Sequence, residues 1–168
     1  GAFVSCGDLL MPSPLITAGG QEKGHRGGTE ALPLIASFGA AMANCFTQEE
    51  IKKLIYLRNK LEDGLLKISH DVIIFGKNVQ RLPNTTYFTV QGMKAEIMQI
   101  GFDLAGFSVS AGSACSSGKV KQSKVLEAMG YQISNGAIRV STGRCTTSKD
   151  IDDFLLIFSQ IIGNKRQH

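Results

Sequence analysis

A chain of 168 residues is long enough for one ordinary domain with a real core, and its 43% hydrophobic and 19% charged residues exclude a disordered, coiled-coil or fibrous protein. The net charge of +4 arises from 18 basic and 14 acidic residues scattered along the chain. No basic stripe with interleaved aromatics appears, so direct nucleic-acid binding is not expected. The apolar runs are too short and interrupted to span a bilayer, and the opening G-A-F-V-S lacks the basic region and cleavage pattern of a secretory signal. A cytoplasmic protein with no membrane association is therefore expected. Cys6, Cys45, Cys115 and Cys145 are widely spaced and form no C-x-x-C pair. That argues against a zinc ribbon or a thioredoxin-like motif and for reduced thiols. His25, His70 and His168 are isolated, so no metal site is expected.

In chain order, Gly1, Ala2, Phe3 and Val4 read as a strand already in progress, which, with no initiator Met, fits a fragment of a longer protein. Residues 8–18, carrying Pro12 and Pro14, read as an extended connector. Residues 18–30 are glycine-rich, with Thr29 placed as the cap of the next helix. That helix, over 30–46, is small and apolar throughout, with Leu32, Leu34, Ile35, Phe38 and Met42 on overlapping faces, and should be buried on several sides. Thr47 with Glu50 is a capping box opening a long amphipathic helix to about residue 68, whose charges read as a solvated face. Strands are predicted at 72–75 and 85–90, pairing in an antiparallel manner, and a helix at about 94–104 with Ile97, Ile100 and Leu104 on one face. A strand over 107–110 leads into a Gly/Ser loop around Cys115. A short helix over 123–129 and a strand over 137–141 follow. A final helix has Thr147 and Asp150 as its capping box, with Gly163 as its stop. The fold class predicted is a small α+β domain with an antiparallel or mixed sheet and helices packed on one face.

The stretch V-S-A-G-S-A-C-S-S-G sets Cys115 among residues with almost no side chain, in a tightly turned or mobile loop where nothing bulky shields the sulfur. An accessible cysteine followed by Lys119, Lys121 and Lys124 suits a nucleophile held as thiolate. An inert small hydrophobe is the competing reading, and it suits Cys45 better. Arg139 lies on a predicted strand and points opposite to Ile138 and Val140, so it needs an anion or solvent. A substrate carboxylate would serve through bidentate bonds, and so would Asp103 or Glu96. In A-G-G-Q-E-K-G-H-R-G-G-T-E, exposed backbone N–H groups, Arg26, Gly28 and Thr29 suit a phosphate, although composition alone favours a solvated glycine-rich loop capped by Thr29. The spacing matches neither a P-loop nor a dinucleotide fingerprint.

Together G-G-Q-E-K-G-H-R-G-G-T-E, R-L-P-N-T, S-V-S-A-G-S-A-C-S-S-G and A-I-R-V-S-T-G-R-C-T-T-S-K-D-I-D, in this order, closely resemble the C-terminal portion of the pyridoxal-phosphate-dependent cysteine desulfurases, class V aminotransferase-like enzymes. The resemblance implies a fold-type I enzyme acting on L-cysteine, with residues 1–46 ending its large cofactor-binding domain and 47–168 forming its small C-terminal domain. By the same resemblance Cys115 takes sulfur as a persulfide and leaves L-alanine, and Arg139 holds the substrate carboxylate. Thr29, with Gly28 and Arg26, meets the phosphate of pyridoxal 5′-phosphate across a homodimer interface. A sulfur-acceptor protein, such as an iron–sulfur scaffold or a tRNA-thiolation protein, is implied as partner. The family's Schiff-base lysine belongs to a His-Lys segment that this sequence does not contain, and Lys23 does not match its position. The isolated chain is therefore expected to be inactive. Two other readings are a non-catalytic sulfur-carrier or interaction module, and a parent that cleaves selenocysteine. Departures from the family pattern include Cys145, where Phe is commoner after Gly-Arg, and Lys23 and Gly27, where Arg or Ser is common.

Overall fold

A computed structural model describes residues 1–4, 6, 13–112 and 123–165. Its contacts divide into two compact units, Gly1–Phe46 and Thr47–His168.

In the first unit, residues 1–4 are not a strand, and Phe3 and Val4 are exposed. A β-rich sequence becomes a strand only where another strand completes its ladder, and none does so among the described residues. A 3₁₀ turn at Gln21–Gly24 precedes helix α1, Leu32–Ala43. The cap of α1 is Ala31, with no side-chain hydrogen bond, rather than Thr29; Pro33 in the first turn fixes the start instead. The expectation of burial fails: α1 has no buried residue, and Leu32, Leu34, Phe38 and Met42 are all exposed. Cys45, for which an inert small hydrophobe is the better sequence reading, is also exposed, as are Cys6 and Cys145, and these three are unbridged.

The second unit has the predicted α+β fold class. Helix α2 (Gln48–Ile68) starts at the Thr47/Glu50 box, in which Glu50 N donates to Thr47 Oγ1 and Thr47 N to Glu50 Oε2. Strands β1 (Val72–Ile74) and β2 (Thr85–Val90) precede helix α3 (Ala95–Leu104). Then come β3 (Ser110–Gly112), the short helix α4 (Lys124–Ala128), β4 (Ala137–Ser141) and helix α5 (Ser148–Lys165). The sheet is antiparallel throughout, in the order β1-β2-β4-β3. Period-two alternation gives it two faces. Val72, Ile74, Phe88, Val90 and Ile138 turn to the main core, where they meet Leu57, Leu61 and Leu65 of α2, Met98 and Phe102 of α3, and Phe154 and Phe158 of α5. Phe102 stacks on Phe154 with centroids 4.3 Å apart, and Phe158 meets Phe88 edge-on at 5.8 Å. The helices α2, α3 and α5 thus share one face, as the sequence predicts. Phe75, Ala137 and Leu126 form a smaller cluster on the other, joined by Ile73, Tyr87, Tyr131 and Ile133.

Four local expectations change. The third strand begins at Ser110 instead of ending there. Helix α3 buries Ala95, Met98 and Phe102, leaving Ile97, Ile100 and Leu104 exposed, because α5 covers the other stripe. Gly163 lies inside α5 and does not end it. Finally, Glu62 on α2 is buried, against the expectation of a wholly solvated charged face.

Candidate functional site

The sheet face turned away from α2, α3 and α5 carries the predicted Arg139. In the antiparallel register Arg139 of β4 stands directly between Tyr87 of β2 and Ser110 of β3. Cross-strand neighbours on one face are within side-chain reach, so the register itself builds a polar row. Arg139 is exposed, points opposite to Ile138 and Val140 as predicted, and its Nη2 donates to Ser110 Oγ at 3.2 Å. Neither Asp103 nor Glu96 pairs with it; among the described residues no carboxylate does. Most of its donor fork therefore faces outward, still able to take a bidentate anion.

Tyr87 is half-buried against Phe75, with ring centroids 5.3 Å apart. Its phenol leans across the sheet to Gly112, where a Cβ would run into the hydroxyl. Burial raises the Tyr87 pKa above its ordinary 10.0, and the Arg139 charge pulls the other way. The group is thus a neutral donor at physiological pH. Gly112 is the last described residue before the segment holding Cys115, Lys119 and Lys121, which lies outside the described residues; Lys124, also predicted nearby, is exposed at the start of α4.

The glycine-rich loop belongs to the first unit. Arg26 turns its guanidinium onto its own loop, Nη1 donating to Gly28 O at 2.7 Å and Nη2 standing 3.9 Å from Glu22 Oε1. Gly27 is pressed against the Ala18 carbonyl, its N–H bonding Ile16 O at 2.9 Å, so the loop closes on itself. Glu22 and Lys23 both have left-handed backbone, at φ 50° and 55°, a strained choice for residues other than glycine. Gly28, at φ +90°, has open space where a side chain would lie, and the exposed Thr29 hydroxyl has no hydrogen-bond partner among the described residues. Open space at Gly28 and an unengaged hydroxyl at Thr29 leave room and a donor for an anion such as a phosphate. Arg26 shapes that surface by tying down the loop.

Among the described residues no group of His, Cys, Asp and Glu is arranged to hold a metal, and no helix is long and apolar enough to cross a membrane. An open groove of about 360 Å³, lined by Ile51, Ile55, Val79 and Pro83 among others, contains none of the predicted site residues. The placement of Tyr87 and Ser110 beside Arg139 was not legible in the sequence, because the register joining β2, β4 and β3 is set by pairings distant in sequence. Their alternation with core residues was the one available signal.

Residues 14–154 match the aminotransferase class-V family. The chain is 38% identical over 158 residues to a cysteine desulfurase of Gluconacetobacter diazotrophicus, covering 92% of this chain and 40% of that protein. It is 36% identical over 170 residues to the cysteine desulfurase IscS of Methanosarcina thermophila, covering 96% and 42%. The X-ray structure of a NifS-like protein from Rickettsia africae superposes with a TM-score of 0.73 at 37% identity, covering 89% of this chain and 40% of that one. The four-stranded antiparallel sheet backed by helices is the fold that the chain shares with this NifS-like structure. The chain belongs to the class-V aminotransferase family, and the curated relatives it matches here are cysteine desulfurases, of whose length it spans about two fifths.

Proposed function

We propose that this chain is the C-terminal part of a cysteine desulfurase that takes sulfur from L-cysteine onto Cys115 and leaves L-alanine. The observation that carries the reading is Arg139: an exposed guanidinium without a carboxylate partner among the described residues, one strand away from the segment that leads to Cys115. In this reading Arg139 anchors the substrate carboxylate, and Cys115 attacks the substrate sulfur as thiolate. A new S–S bond forms as the substrate C–S bond breaks. The electron pair of that bond stays with carbon, which takes up a proton to become alanine. Pyridoxal 5′-phosphate, when bound, supplies the electron sink that opens the C–S bond to this attack. Gly28 N–H and the Thr29 hydroxyl hold its phosphate, with Arg26 keeping their loop in shape, across the interface of a homodimer. Residues 1–46 belong to the large domain of the parent and 47–168 to the small one. The persulfide passes to an acceptor protein in the cytoplasm, such as an iron–sulfur scaffold. The 168 residues alone hold no lysine at the family's cofactor-binding position and are inactive.

The test uses the full-length protein that carries this chain, loaded with pyridoxal 5′-phosphate. L-cysteine should yield equal amounts of L-alanine and protein persulfide, with Cys115→Ser losing both and Arg139→Ala raising KM. No alanine from the full-length protein would overturn the reading, and persulfide loading of the 168-residue chain by an inorganic sulfane donor would then favour a sulfur carrier. Faster turnover of selenocysteine than of cysteine would reassign the substrate.

A further inference from the structure

The row that holds Arg139 contains a donor that the reading above leaves unused. Tyr87 and Ser110 flank Arg139 from opposite sides in exact register. Ser110 Oγ accepts from Arg139 Nη2, which leaves its own proton to donate outward. The Tyr87 hydroxyl, held over Gly112 by packing on Phe75, has no hydrogen-bond partner among the described residues. A half-buried phenol ordinarily finds one. Two hydroxyls and a guanidinium therefore share one sheet face, with no carboxylate paired to the guanidinium among the described residues. Such a set of donors calls for an anionic acceptor.

We propose that Tyr87 is a substrate-binding residue whose hydroxyl donates to the carboxylate held by Arg139, making the row Tyr87, Arg139, Ser110 the anion site. The inference rests on the reading of Arg139 as the carboxylate anchor. Gly112 is part of the arrangement, since only a residue without a side chain admits the phenol at that position. The phenol stays protonated well above neutral pH, because burial disfavours its anion. The fixed charge and donor-only fork of the guanidinium favour a carboxylate over the uncharged carboxamide, which cannot answer that charge.

Two measurements test this. In the 168-residue chain labelled at tyrosine Cζ with carbon-13, the Tyr87 resonance, assigned by its loss in Tyr87→Phe, should move on addition of L-alanine but not of L-alaninamide. The movement should vanish in Arg139→Ala. A Tyr87 resonance that stays put up to the solubility limit of L-alanine, or that moves equally with the amide, overturns the proposal. In the full-length holoenzyme, Tyr87→Phe should raise KM for L-cysteine roughly tenfold with little change in kcat, as expected for a hydrogen bond to a charged group made equally before and during reaction. An unchanged KM in Tyr87→Phe alongside a raised KM in Arg139→Ala overturns the role of Tyr87 and leaves the desulfurase reading intact. If the holoenzyme makes no alanine, that reading fails, and the carbon-13 titration still decides for or against Tyr87.

Discussion

Glu62 sits on the buried stripe of α2 beside Leu61 and Leu65, where a carboxylate is costly unless every lone pair is answered. Arg81 Nη2 donates to its Oε2 at 2.7 Å and Thr86 Oγ1 to its Oε1 at 3.0 Å, while Arg81 Nη1 also reaches Thr85 O at 3.2 Å. The R-L-P-N-T motif thus ties the loop before β2 to the middle of α2. Removing one partner of such a pair leaves an uncompensated buried charge, so Arg81→Met should lower stability by about 3 kcal/mol in urea unfolding. The double change Arg81→Met with Glu62→Leu should recover much of that loss, because no charge is then stranded. The charge pattern of α2 pointed to solvent, since the partner of Glu62 lies beyond a turn and a strand; the residue type was visible but not its burial. Gly112 makes the complementary case. Its φ is not in the left-handed region, so Gly112→Ala should be felt only through the collision with Tyr87, at about 1–2 kcal/mol. Thermal unfolding should show part of the loss restored in the double variant with Tyr87→Phe.

At the scale of elements, what the sequence could show was what is local. The boxes that open α2 and α5 depend on residues three apart, and both form as read. Thr47→Ala should cost about 1 kcal/mol in chemical unfolding, as the loss of an N-cap usually does. In the second box the Thr147 backbone and hydroxyl both donate to Asp150 Oδ2, and these bonds hold the Asp150 carboxyl below its ordinary 3.8. A lowered folded value means that the ionised form is favoured by folding. The contribution is complete above the unfolded value near 3.8 and disappears as pH falls through the lower folded one. Asp150→Asn should therefore flatten the acid limb of the Tm-versus-pH curve in that window and leave its neutral-to-alkaline shape unchanged. Which stripe of α3 is buried was not local information. Ala95, Met98 and Phe102 and the competing Ile97, Ile100 and Leu104 are both helical stripes, and α5 and the sheet choose between them through the stack of Phe102 on Phe154.

At the scale of the whole molecule the apolar residues divide unequally. Among the described residues every hydrophobic side chain in the buried core belongs to residues 54–162, inside the unit Thr47–His168, and none to α1. The stabilisation from burial is proportional to apolar area removed from water, so α1 as it stands contributes almost none of it. Exposure of Leu32, Leu34, Ile35, Phe38 and Met42 on one short helix instead makes a patch of the kind that recruits other surfaces. The sequence reading foresaw burial because a helix apolar on all sides is one that folds to be covered. That inference concerns what the helix is suited to, and it was the covering surface that composition could not supply. Removing residues 1–46 should therefore leave urea unfolding of 47–168 two-state, with a midpoint close to that of the whole chain, because the core of the second unit is kept entire. The same removal should abolish most of the binding of a fluorescent apolar dye and any concentration-dependent association seen by sedimentation. Retention of dye binding by 47–168 would place the exposed apolar surface on the second unit, and a broad, early unfolding transition would show that the first unit supports the core after all.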